Sequence, residues 1–213
     1  MLQWLHMKRM ICKCNEECVT SCHMGCHRPA SADVGPNLPQ FEEDAMLDPI
    51  AIFEDEQEEY LKLCTALEEI ADSLLGNIDF IIAEEAVSLL REGFANHIFC
   101  QQELLFPLIR KRAEPLDNID VLLSQLEYEH AVDQGLAVEV SEALADLVEQ
   151  RRVENPEMLG YLLRCFFEGY RRHSSWEKNV IYPICRKRLT KEDSSDLAQC
   201  LASAGKLPPT LQS

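Results

Sequence analysis

A sixteen-residue stretch of this sequence occurs twice, and the repeat constrains the fold more than any other feature. HIFCQQELLFPLIRKR at 97–112 aligns with HSSWEKNVIYPICRKR at 173–188. Each copy has a histidine, a Gln or Glu four residues later, then an aromatic residue followed by proline, and ends in Arg-Lys-Arg. A weaker match aligns 54–57 with 127–130. The sequence therefore predicts that one helical hairpin is present in two copies.

Four long segments with the apolar periodicity of helices are separated by short breaks. They are predicted as helices over about 48–75, 78–113, 118–153 and 156–189, with a short amphipathic helix near 191–204. In the second segment the apolar stripe is predicted to continue through Leu104 and Leu108. Because short loops place successive helices side by side, the fold class is all-α: an antiparallel up-down-up-down four-helix bundle with a short C-terminal helix.

Polar residues interrupt the apolar stripes at matching places in the two copies. A histidine and a carboxylate four residues apart lie on one helix face, about 6 Å apart along the axis, so both can reach one metal ion. Imidazole and carboxylate together suit iron, manganese or zinc. The predicted metal ligands are His97, His130, His173 and Glu177, and the weak or degraded ligand positions are Gln57 and Gln101, whose neutral amides are poor ligands.

These residues resemble the hemerythrin-like, cation-binding HHE family, whose signature helix reads His, three residues, Glu and then an aromatic-Pro pair. His173 with Glu177 and Tyr182-Pro183 fits this signature, and Glu129-His130 is similar to the third element of the family. The resemblance covers about residues 48–190. It implies a bundle around a di-iron centre that has one histidine from each helix and two bridging carboxylates. Members bind or sense oxygen, handle nitric oxide, or serve iron and iron–sulfur homeostasis.

Two Gln residues depart from the family pattern, so the predicted site is mononuclear or asymmetric. Family geometry would pair His97 and His130 on one iron, together with Glu177, and would leave His173 in a weakened second position. The alternative is a metal-free bundle, descended from the family, in which the same side chains hydrogen-bond across the core and the protein serves as an interaction or regulatory module.

Composition narrows the function further. The net charge of −17 disfavours nucleic acid and anionic membrane surfaces as partners, and no apolar run approaches the roughly 20 residues of a membrane span. The expected protein is soluble and cytoplasmic. It is predicted to bind one or two non-haem iron ions, or another divalent metal, and to sense, store or deliver iron, O₂ or NO. No nucleophile–base pair or phosphate loop indicates an enzyme, although an iron-dependent oxidase or peroxidase activity stays open.

The N-terminal residues 1–45 differ from the rest of the chain. They are predicted to be a disordered, Cys-rich extension and linker, ahead of a bundle at 46–190 and a tail at 191–213. One hypothesis is a second metal site, because a period of four would align thiols along one helix face, at Cys14, Cys18, Cys22 and Cys26. The other is a misassigned start, since Met46 opens the first predicted helix directly.

Overall fold

The computed structural model describes residues 48–203, which form five helices. They are α1 (Pro49–Ser73), α2 (80–112), α3 (Ile119–Gln150), α4 (156–188) and α5 (Lys191–Ser203). Within α2 and α4 the α-helix is interrupted by π-helical turns at Leu90–Phe94, Gln101–Leu105 and Glu177–Ile181. A 3₁₀ turn, Pro115–Asp117, joins α2 to α3. The predicted all-α bundle with a short C-terminal helix is confirmed.

Local chemistry explains where the helices begin. The Asp48 carboxylate accepts the backbone N–H of Ile50 at 3.0 Å, and Pro49 fills the first helical position, where no donor is needed. Asp79 caps α2 and Asn155 caps α4 in the same way. These polar caps are local signals, which is why the sequence alone could predict the helix starts.

Ion pairs between helix ends show that neighbouring helices run antiparallel. Arg164, near the start of α4, pairs with Asp72 near the end of α1, and Arg186 at the end of α4 pairs with Asp48 at the start of α1. Between α2 and α3, Arg110 pairs with Glu127 at one end. Arg151 and Glu84 pair at the other end of those two helices. The helices therefore alternate in direction, as the short connections require.

Two hydrophobic clusters fill the bundle, and a layer of polar side chains separates them. One cluster includes Leu67, Leu144 and Phe166, and the other includes Phe53 and Leu123. All four long helices contribute buried polar residues to the layer between the clusters, namely Gln57, His97, Gln101, His130, Asp133, His173 and Glu177. A polar layer at one depth of an otherwise apolar core needs internal partners, because buried polar groups lose their hydration.

The π-helical turns Gln101–Leu105 and Glu177–Ile181 follow from the repeated prolines, whereas no proline adjoins the turn at Leu90–Phe94. Pro107 and Pro183 have no N–H, and their rings crowd the preceding turn, so the chain takes one extra residue there. The N–H of Phe106 bonds to the carbonyl of Gln101, and that of Tyr182 bonds to the carbonyl of Glu177, each five residues back. Each copy of the repeat therefore contains one wide π turn before its proline. The two turns begin at corresponding residues, Gln101 and Glu177.

The extra residue corrects the predicted stripe on α2. Leu104 and Leu108 were expected to face the core, but both are only partly buried. Leu105 and Ile109 are fully buried in their place. The π turn shifts every later side chain by one position around the helix, a change that a constant period of 3.6 residues cannot describe.

A pair of matching ion pairs closes one end of the bundle. Arg112 donates two hydrogen bonds to Asp193, at 2.7 and 3.0 Å. Its counterpart in the repeat, Arg188, donates two to Asp117, at 2.7 and 2.9 Å. The arginine at the end of each copy therefore binds an aspartate in the segment that follows the other copy. Both pairs have the two parallel hydrogen bonds that arginine and carboxylate favour.

We predict that Asp193→Asn lowers the free energy of unfolding by about 1–3 kcal/mol, since the buried carboxylate also accepts from Thr190. The hydrogen bonds from Arg112 lower the pKa of Asp193 from its ordinary 3.8 to about 2. Its stabilisation is therefore complete above pH 4 and is lost as the pH falls through about 2. Urea titrations of both proteins at pH 7 and at low pH measure this. Asp196→Asn, an exposed control on the same helix, should change stability by less than about 0.5 kcal/mol.

The Cys-rich segment and its predicted second site at Cys14, Cys18, Cys22 and Cys26 lie outside the described residues, as do residues 204–213 of the predicted C-terminal tail. Within 48–203, no helix combines the length and apolar composition needed to cross a lipid bilayer.

Candidate metal centre

Three buried side chains bring possible metal-ligand atoms together in the polar layer. Nε2 of His130 and Nε2 of His173 are 3.1 Å apart. Oε1 of Glu177 lies 3.6 Å from the first nitrogen and 3.2 Å from the second. The two imidazoles are fully buried and Glu177 is 1% exposed. In the described part of the chain, these three residues are the group of His, Cys, Asp and Glu whose atoms meet closely enough for a shared ion.

All three members of this group belong to the second copy of the repeat. His130 lies on α3, whereas His173 and Glu177 lie one turn apart on α4. The expected pairing of His97 with His130 is therefore not what the structure shows, because the imidazole next to His130 is that of His173. The imidazole of His97 is instead held by α1, where Oε2 of Glu56 lies 2.9 Å from its Nδ1.

The geometry of the three atoms fits a single ion. Ligands bound at about 2.1 Å in adjacent positions hold their donor atoms roughly 3.0–3.5 Å apart. Two of the separations here, 3.1 and 3.2 Å, fall in this range, and the third is 3.6 Å. Oε1 of Glu177 faces both imidazoles, 3.6 Å from Nε2 of His130 and 3.2 Å from Nε2 of His173. A buried carboxylate oxygen facing two imidazole nitrogens is suited to a cation.

Each imidazole is held in place through its other nitrogen. Nδ1 of His173 lies 2.8 Å from Oδ2 of Asp133, and Nδ1 of His130 lies 3.1 Å from the side-chain amide of Gln102. His97 is held likewise, with Nδ1 2.9 Å from Oε2 of Glu56. Carboxylates at Nδ1 fix the proton there and direct Nε2, as an acceptor, into the core. This arrangement at His173 and His97 is typical of metal-binding histidines, whereas the amide nitrogen of Gln102 at Nδ1 of His130 donates to that ring, so a metal bound at Nε2 of His130 must displace a proton.

The charges of the group are mutually dependent. Burial works against a charged imidazole, but Glu177 and Asp133 outweigh it and raise the pKa of His173 to about 10. Burial likewise opposes ionisation of Glu177, yet His173 and His130 hold the pKa of Glu177 well below its usual range. Burial lowers the pKa of His130. Without metal, a proton on His173 therefore balances Glu177, and an ion that binds here must displace that proton.

The corresponding positions of the first copy are arranged differently. His97 is fully buried, but it stands outside the close group, and among residues 48–203 its Nε2 has no hydrogen-bond partner. Gln101 donates from Nε2 to the Tyr182 hydroxyl at 2.9 Å, and no described group meets its Oε1. Gln57 donates from Nε2 to Oε2 of Glu177 at 2.7 Å. The first copy thus contributes polar side chains to the layer. It has no carboxylate at the position that matches Glu177, where Gln101 stands.

Aromatic rings enclose the group. Phe106 stacks on the ring of His130, with centroids 5.7 Å apart, and Tyr170 meets the ring of His173 edge-on at 5.5 Å. Tyr60 lies beside His97 at 5.2 Å. These rings shield the ligand atoms from water, which strengthens the electrostatic interactions inside the layer.

Sequence reasoning missed the residues that orient the histidines. Asp133 could have been found, because it is a carboxylate three residues after His130 on the same buried stripe of α3. Glu56 and Gln102 lie between helix faces, so periodicity does not single them out. Their role depends on which neighbouring helix they meet, and that information is not local.

A model of the hemerythrin HHE cation-binding domain matches residues 48–186. The chain belongs to this hemerythrin HHE family. The match runs from the cap of α1 to near the end of α4, so it includes every residue of the polar layer. Searches of curated proteins and of solved structures returned no match. Membership in a cation-binding family agrees with the His130, His173 and Glu177 geometry.

We predict that Asp133→Ala weakens metal binding by this hemerythrin-like domain 10–100-fold, because His173 loses the carboxylate that fixes its tautomer and orientation. Competition between the protein and a chromophoric chelator measures the affinity. Asp120→Ala, on the exposed face of the same helix, is the matched control and should bind like the wild type. Equal affinity of the Asp133 variant and the wild type would contradict a positioning role for this carboxylate.

Proposed function

We propose that this protein binds non-haem iron through His130, His173 and Glu177. The observation that carries the proposal is the meeting of these three buried ligand atoms within 3.6 Å of one another. Two imidazoles and one carboxylate are the ligand set of many non-haem Fe(II) sites, which keep further coordination positions open. Zinc or manganese could also use these ligands, and metal analysis distinguishes them.

We further propose that the bound iron serves to sense, store or deliver iron, O₂ or NO. When bound, iron would supply open positions for a diatomic ligand. The residues of this chain hold and enclose the site: Phe106 covers His130, and Tyr170 covers His173. An organic substrate would have to displace these rings, whereas a diatomic molecule would not. This favours binding and sensing over turnover of an organic compound.

The remaining side of the layer offers a connection to solvent. Asp133, which orients His173, also lines a surface cleft together with Glu129 and Arg172. Protons exchanged when an ion binds could pass between solvent and the site by this carboxylate. We propose that the protein is cytoplasmic, which agrees with the buried thiols of Cys64 and Cys185.

A second candidate is a metal-free bundle that acts as an interaction or regulatory module. It is favoured by the internal hydrogen bond from Gln57 to Glu177 and by the pairing of Glu177 with His173, which together give the carboxylate partners without any metal. The two candidates differ in metal content and in the response to chelators.

Metal analysis of the purified protein tests the proposal. We expect iron in the wild type, at least tenfold less in His130→Ala and His173→Ala, and a smaller loss in His97→Ala, because His97 lies outside the close group. Ser175→Ala, an exposed neighbour on α4, is the control and should keep the wild-type content. Wild-type protein that takes up no metal and whose stability does not respond to chelators would support the metal-free module instead.

A further inference from the structure

Gln57 reaches the candidate metal centre from the opposite hairpin. It lies on α1, and in the aligned repeats it occupies the position of His130. Its Nε2 donates to Oε2 of Glu177 at 2.7 Å, and both side chains are almost completely buried. An ionised carboxylate has no proton to donate, so the amide nitrogen of Gln57, and not its oxygen, must face Glu177.

The two oxygens of Glu177 therefore have different roles. Oε1 faces Nε2 of His130 and of His173, at 3.6 and 3.2 Å. Oε2 is directed to Gln57. In a two-oxygen bridge each carboxylate oxygen binds one of the two metal ions, and here an N–H group occupies the second oxygen. The amide also supplies the partial positive charge that Oε2 requires in a buried setting.

The first hairpin offers no anionic replacement at the position that matches Glu177. Gln101 stands there, and its amide is turned to the Tyr182 hydroxyl at 2.9 Å. Its remaining oxygen is neutral and cannot offset the charge of a second dication. His97 lies nearby on α2 but is not part of the close ligand group. A second ion would thus depend on Oε2 of Glu177.

We infer that Gln57 limits the centre to a single metal ion, because its amide hydrogen bond occupies the Glu177 oxygen through which a second ion would be bridged. The inference rests on the proposed function, since it assigns the stoichiometry of the same site. Gln57 acts through Glu177 and determines how many ions the centre binds. It is not itself a ligand of the first ion.

The test is a Co²⁺ titration of the chelator-stripped full chain, followed by visible absorption and by metal analysis after gel filtration. We expect one Co²⁺ per chain for the wild type. Gln57→His places an imidazole where the second repeat has His130 and removes the amide donor, so it should bind two ions. Asn179→His adds an imidazole to an exposed site on α4 with no carboxylate three or four residues away, and it is the matched control, with one retained ion expected.

The outcomes separate this inference from the proposed function. Two ions in the wild type, or one ion in both the wild type and a folded Gln57→His variant, would overturn the role of Gln57 and leave metal binding intact. A wild type that retains no Co²⁺ and no Fe²⁺ would overturn the proposed function, and the inference with it.

A second variant decides the matter if Gln57→His does not fold, as judged by circular dichroism. Gln57→Leu keeps a side chain of similar length but removes the donor, so the second oxygen of Glu177 becomes available to a metal ion. The Co²⁺ absorption spectrum should then shift, and more than one Co²⁺ should be retained per chain at saturating Co²⁺. A single retained ion with an unchanged spectrum would overturn the inference.

Discussion

The burial of Glu177 in the middle of the bundle is the constraint on which the rest of the structure depends. A carboxylate that is 1% exposed must have compensating partners, and each of its neighbours comes from a helix that the fold brings to the same depth. Gln57 reaches it from α1, His130 from α3, and His173 from one turn away on α4. Asp133 holds the imidazole of His173 through Nδ1 and also lines the surface cleft. The network of polar contacts therefore extends from the core to the surface.

Duplication explains both the symmetry and the asymmetry of the molecule. The π turns that begin at Gln101 and at Glu177, and the reciprocal pairs of Arg112 and Arg188, show that the two hairpins retain the same framework. The chemistry at the centre has diverged, because the first copy has Gln where the second has its carboxylate. In our account one copy supplies the ligands and the other supplies hydrogen bonds and packing.

The sequence was sufficient for the features that depend on local signals. Caps such as Asp48, and a constant helical period, predicted the helices to within a few residues, and the repeat predicted which polar positions share a layer. It was insufficient where a feature depends on the neighbouring helix or on a local change of period. The π turn moved the buried stripe from Leu104 to Leu105. The direct contact between His130 and His173, instead of between His97 and His130, depends on how each helix is rotated about its axis and could not be obtained from spacing.

An anomalous difference map at the iron absorption edge, from crystals of the iron-loaded protein, tests the central claim most directly. The account predicts one strong peak within bonding distance of Nε2 of His130, Nε2 of His173 and Oε1 of Glu177, with Oε2 still facing Gln57. A crystal grown with iron that shows no peak among these three atoms, or a peak only at surface carboxylates, would contradict it.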